Sequence, residues 1–80
     1  PSPDIYRLAA EKLGVCPEAC IVVEDGLSGI QSAHAAGIGH IIAIAAPERH
    51  DYFMQVPGVN AVISNYHEFD RSLLERSVKE

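Results

Sequence analysis

Two adjacent carboxylates, Glu24 and Asp25, close the apolar, β-branched run Cys20-Ile21-Val22-Val23 and are followed at once by Gly26. Such a pair at the end of a buried strand is costly. Neighbouring like charges repel and lose hydration, so they persist where a cation or a basic partner compensates them. Magnesium is the natural compensation: it prefers hard oxygen ligands and usually takes one or two carboxylates together with waters and a phosphate. The backbone amides of Gly26, Leu27 and Ser28 come next, at a helix start, where N–H groups and the helix dipole favour an anion. Asp25 and Glu24 are therefore candidate metal ligands, and Gly26 and Ser28 are candidate contacts to a phosphate or to the groups around the metal. A plainer reading of the same residues stays open beside this one: Asp25 or Ser28 caps the helix and Glu24 is solvated.

The elements that must position these residues alternate between helix and strand. Ser2-Pro3-Asp4 is a helix start, with Ser2 able to cap, Pro3 suited to the first helical position and Asp4 favoured by the dipole. Ile5, Leu8, Ala9 and Leu13 then recur at helical spacing as one apolar face, and Gly14 is a natural stop. Pro17-Glu18-Ala19 is a short turn. Cys20–Val23 does not alternate with polar residues, which predicts a strand buried on both faces, as in a parallel sheet. Leu27–Ala36 is a second helix with Leu27, Ile30 and Ala33 or His34 facing inward. Its small residues Ser32, Ala33, Ala35 and Ala36 permit close packing, and Gly37 ends it.

His40–Ala45 is a second strand. Pro47–Gln55 is a loop with one helical turn, Pro57-Gly58 a turn, and Ala61-Val62-Ile63 a short third strand. Asn65 caps a last helix through Val78, with Phe69, Leu73 and Leu74 buried. Alternation of this kind predicts an α/β fold: a partial Rossmann-like parallel sheet of about three strands with flanking helices. The first strand is apolar enough to want a neighbour on each side, and the chain supplies only one.

Composition narrows the function further. The chain has 80 residues, a hydrophobic fraction of 48% and a formal net charge of −5 with only 6 Lys and Arg. That length suits one small domain with a thin stability margin. Clustered cations for nucleic acid are missing. No apolar run approaches the ~20 residues that span a bilayer, and no signal peptide is visible. Cys16 and Cys20 fit neither a disulfide scaffold nor a zinc site and read as reduced thiols of a cytoplasmic protein. The chain begins at Pro1 without an initiator Met, which predicts a piece of a longer polypeptide.

Other motifs fail on order or spacing. Gly37-Ile38-Gly39 lies between helix and strand, the wrong order for a dinucleotide fingerprint. Ser28 is not in a nucleophile elbow. Of the four histidines, His34 reads as an interior or boundary side chain, His40 as core or capping, and His50 and His67 as solvated. Tyr6, Phe69 and Leu73 read as core.

The stretches PSPDIYRLAAEKLGV and CIVVEDGLSGIQSAHAAG, followed by a β-branched strand, resemble the haloacid dehalogenase superfamily. Within it they are most similar to the β-phosphoglucomutase and phosphoglycolate phosphatase branch. Pro1, Pro3 and Asp4 match that family's Lys-Pro-x-Pro-Asp frame, whose lysine would fall just before Pro1. Glu24-Asp25, with the Gly29-Ile30 that follows, matches its Glu-Asp pair ahead of x-x-Gly-Ile. The likeness is strong over residues 1–45 and continues only in layout.

This resemblance implies Asp25 as a magnesium ligand and Glu24 as its acidic neighbour, acting on the metal directly or through water. Gly26 replaces the usual Ser or Thr after the pair, which removes a hydroxyl near the metal. The family's Asp-x-Asp nucleophile motif, its second-motif Ser or Thr and its cap domain have no match in the sequence, so no catalytic residue is assigned in this chain.

Residues 1–80 are thus expected to be the C-terminal part of a core domain. They would supply the metal-binding motif to a phosphatase or a sugar-phosphate mutase acting on a small phosphorylated metabolite, and be inactive alone. The competing expectation is a non-catalytic α/β module that associates with another chain, or with a missing half, through an open strand edge. A receiver-like module would need an Asp closing another strand, and neither Ala45 nor Ile63 is followed by one.

Overall fold

The computed structural model describes residues 2–68. Helix α1 spans Asp4–Leu13, strand β1 Ile21–Glu24, helix α2 Leu27–Ala35, strand β2 His40–Ile44, helix α3 His50–Met54 and strand β3 Val59–Ile63. The strands form one parallel sheet in the order β1-β2-β3. This is the expected α/β architecture, a narrow Rossmann-like sheet with flanking helices.

Helix α1 begins where its sequence says it should. Ser2 Oγ accepts the Asp4 N–H at 3.2 Å, with Pro3 standing one position earlier than expected, as the capping residue. It ends at Gly14, whose φ of 71° lets the Gly14 and Val15 amides close on the carbonyls of Glu11 and Ala10. Its packing differs from expectation. Ile5, Leu8 and Leu13 are exposed at 71%, 52% and 75%, while Tyr6 and Ala10 turn toward the core. The helix carries two apolar stripes, and the richer one faces outward.

The main core lies between the sheet and its helices. Ile30, Ala33 and Ala36 meet Ile38, Ile41, Ala43 and Phe53, with Tyr6, Val22 and Val62 at the margin. Complete burial of Ile30 is worth about 1.5–3 kcal/mol. Small residues allow this close seating, as expected: Ser32, Ala33 and Ala36 are buried, although Ala35 is exposed. Ala33 rather than His34 faces inward, and Leu27, expected to face inward, is exposed at the first turn of the helix. The opposite sheet face gathers Ile42 and Ile63, with Val23, Ile44 and Ala61 against them.

The stretch 47–55 holds the expected helical turn and a 3₁₀ turn before it. A 3₁₀ turn at Pro47–Arg49 leads into α3, which buries Phe53 to 2% exposure. Strand β3 starts two residues earlier than expected. Its register slips beside Ile41 and Ile42, and the Asn60 side chain fills the gap by accepting the Ile41 N–H at 2.8 Å.

A 3₁₀ turn at Pro17–Ala19 sits where a turn was expected and fixes the entry to β1. It packs so closely that a Cβ at Gly39 would overlap the Glu18 carbonyl, and the Gly39 N–H bonds to Pro17 O at 3.0 Å. Gly39 therefore serves packing, whereas Gly37, at φ 82°, serves the left-handed stop after α2.

Strand β1 is an edge strand among the described residues. It is half-buried, not covered on both faces as expected, and Ile21 at its start is exposed. The helix expected from Asn65 to Val78, with Phe69, Leu73 and Leu74, falls for the most part outside the described residues. The described chain ends in a 3₁₀ turn at Tyr66–Glu68, where Glu68 Oε1 accepts the Ser64 N–H at 2.8 Å.

Candidate functional site

In a parallel sheet the carboxyl ends of the strands form one rim, where α/β proteins bind ligands. Here β1 delivers Glu24 and Asp25 to that rim, and α2 starts two residues later. Gly26 is the capping residue of α2, extended at φ −124°, ψ 147°, and no side chain caps the helix. The capping alternative for Asp25 and Ser28 is thus not what the structure shows. Both side chains are exposed and hydrogen-bond to no described residue.

Glu24 behaves differently from its neighbour. It lies on the helix-covered face with Val22, half-buried, and its Oε2 accepts a hydrogen bond from the Tyr6 hydroxyl of α1. Its carboxylate occupies the place a Cβ on Gly29 of α2 would take. Three elements therefore hold one acidic side chain. Burial pushes the Tyr6 phenol up to about 12, with the hydrogen bond to Glu24 and the carboxylate's negative charge adding to it. The phenol stays protonated and remains a donor. Arg7 Nη2 donates to the Ala35 carbonyl at 3.3 Å and ties α1 to the far end of α2.

The donor set fits a hard cation. Asp25 offers an exposed carboxylate with no protein partner among the described residues, and Glu24 keeps acceptor sites beyond the one Tyr6 uses, since an ionised carboxylate has about four. No group of three or more His, Cys, Asp or Glu that could hold a metal occurs among the described residues. A magnesium site would ask for only one or two carboxylates, with water and phosphate completing the shell.

The rest of the rim is closed. His50, expected to be solvated, is half-buried, with Nε2 3.0 Å from the Ala45 carbonyl and 3.1 Å from Ser64 Oγ. It joins the ends of β2 and β3. His34 is an exposed boundary residue against Gly58, His67 is exposed, and His40 is half-buried with Nδ1 unpaired among the described residues. Cys16 and Cys20 are free thiols, Cys16 exposed and Cys20 half-buried. Sequence reasoning missed the pairing of Tyr6 and Gly29 with Glu24. The one available signal was a glycine inside a helix, where it costs about 1 kcal/mol against alanine.

Known proteins resemble this chain in sequence and in fold. A family model described as haloacid dehalogenase-like hydrolase matches residues 1–37. Hexitol phosphatase A of Escherichia coli is 51% identical over 47 residues, which cover 59% of this chain and 21% of that protein. The fold is that of a crystal structure of a HAD hydrolase, family IA, variant 3, from Entamoeba histolytica: TM-score 0.84 and 38% identity over 99% of this chain and 35% of that one. A HAD family hydrolase from Deinococcus radiodurans, solved with bound phosphate and sodium, gives TM-score 0.79 and 29% identity over 98% of this chain and 35% of that one. The chain thus spans about a fifth of the length of the curated relative and about a third of each solved chain.

Proposed function

Because this chain belongs to the haloacid dehalogenase-like hydrolase superfamily, we propose that it supplies the acidic metal-binding corner of a magnesium-dependent phosphate monoester hydrolase. In this reading residues 1–80 are the C-terminal part of the core domain. The nucleophile, the lysine and the substrate-selecting cap lie elsewhere in the polypeptide. Asp25 would hold the cation, and Glu24 would act on it directly or through water. The Gly26 and Ser28 amides at the start of α2 would favour the phosphate. When bound, magnesium neutralises charge on the phosphate, a large part of what phosphoryl transfer requires.

The observation that carries this reading is Asp25: an exposed carboxylate without a protein partner among the described residues, at the strand-end rim and ahead of a helix start. Likeness to a hexitol phosphatase favours a small phosphorylated carbohydrate as substrate. It also favours hydrolysis over transfer within a sugar phosphate. Free thiols and the acidic charge support a cytoplasmic setting without nucleic-acid or membrane partners. The edge of β1, unpaired among the described residues, and the outward stripe Ile5, Leu8 and Leu13 support pairing with the remainder of the enzyme. A free-standing binding module would use the same surfaces, but the family and the acidic corner give that alternative less support.

The test is phosphate release by the intact protein from a panel of hexitol and sugar phosphates, with magnesium and after chelation. Magnesium-dependent release with a preference within that panel is the expected result. No release from any phosphate monoester, with magnesium present, would contradict the proposal.

A further inference from the structure

We infer that Tyr6 and Gly29 are positioning residues that build a seat for Glu24, and that this seat sets how tightly the acidic corner holds a divalent cation. The inference rests on the metal reading proposed above and adds two residues to it.

Two independent observations meet at one carboxylate. Tyr6 donates its hydroxyl hydrogen to Glu24 Oε2 across 18 positions of sequence. Gly29, inside α2, leaves open the volume that the same carboxylate fills. A glycine within a helix is unfavourable unless something needs the space, and here the occupant is Glu24. The seat joins three elements at the β1 end of the rim: α1 through Tyr6, β1 through Glu24 and α2 through Gly29.

The consequence follows from electrostatics and order. Left mobile, Glu24 would sample many rotamers beside Asp25 and would lose conformational entropy on joining a cation or its water. Seated, it keeps one carboxylate oxygen on Tyr6 and still has acceptor sites to spare. Its charge then stays at a fixed place beside the strand end. Hydrogen-bond partners that orient carboxylates at metal sites typically account for about 10–100-fold in metal affinity.

The experiment is a calorimetric magnesium titration of the intact protein, with the magnesium-induced rise in melting temperature as a second readout. It compares wild type with Tyr6→Phe, Gly29→Ala, Glu24→Gln and Asp25→Asn. Tyr6→Phe removes the donor and keeps the ring. Gly29→Ala displaces the carboxylate, keeps its charge and favours the helix, so a general loss of folding cannot mimic the effect.

Each of these two changes should weaken magnesium binding about tenfold. Adding either to Glu24→Gln should cost nothing more, because both act through that carboxylate. Wild-type affinity in both Tyr6→Phe and Gly29→Ala, with binding lost in Asp25→Asn, would overturn the seat while leaving the metal reading standing. Wild-type affinity in Asp25→Asn would remove the metal reading itself, and the seat's function with it.

Discussion

The carboxyl end of β1 and the carboxyl ends of β2 and β3 belong to one rim of one sheet, yet they are finished in opposite ways. At β2 and β3 the polar groups close on one another: His50 bridges the Ala45 carbonyl and Ser64 Oγ, and the Glu68 side chain covers the Ser64 amide. At β1 one carboxylate is seated by Tyr6 and the next, Asp25, is left to solvent. A rim whose polar groups satisfy each other is fixed structure. A rim that leaves a charge without a protein partner is where a ligand adds most, because binding there displaces no internal bond.

This contrast can be broken from either side. The largest effect should come from Asp25→Asn, which keeps shape and removes charge. Magnesium-dependent turnover by the intact protein should fall about a hundredfold or more, measured as phosphate release at saturating metal. Phe53→Ala attacks the packing beneath the closed ends. Opening a cavity at so buried an aromatic should cost about 3–5 kcal/mol in denaturant unfolding. His50→Ala removes the bridge itself. A half-buried side chain with two polar partners should account for about 1–2 kcal/mol of stability, with magnesium affinity unchanged.

The smallest effect is a pH dependence at Tyr6. Its folded pKa is raised to about 12 from an ordinary 10.0, by burial first and by Glu24 second. The folded state therefore holds that proton more tightly than the unfolded chain. The associated stability is complete below pH 10 and is lost as pH rises toward about 12. Unfolding curves across that window should show the decline, and Tyr6→Phe should flatten it.

How far these features could be read from sequence follows the same divide between local and distant. The strand ending at Glu24-Asp25, the helix after Gly26 and the strand at His40–Ile44 are local patterns: apolar runs punctuated by glycine, and legible as such. The placement of Asp25 at a strand end follows from them. What periodicity does not reveal is which way a face looks. The stripe Ile5, Leu8 and Leu13 is regular and apolar, but the core takes Tyr6 and Ala10 instead.

Phe53 was hidden by its neighbours, since Pro47, Glu48, Arg49 and Asp51 mark a loop by composition while one aromatic ring anchors it. The early start of β3 was hidden by Asn60, a residue disfavoured in strands that here repairs the ladder with its side chain. The Tyr6–Glu24 bond and the His50 bridge join residues 18 and 14 positions from their partners Glu24 and Ser64. Such contacts are made by the fold and leave no spacing to recognise.

The most direct test of the account is magnesium binding by the intact protein, measured by calorimetry for Asp25→Asn beside His50→Ala. If the open end of the rim is the metal corner, Asp25→Asn should lose binding while His50→Ala, though less stable, keeps wild-type affinity. Wild-type binding in Asp25→Asn, or equal loss in both variants, would contradict the assignment of the site to the end of β1.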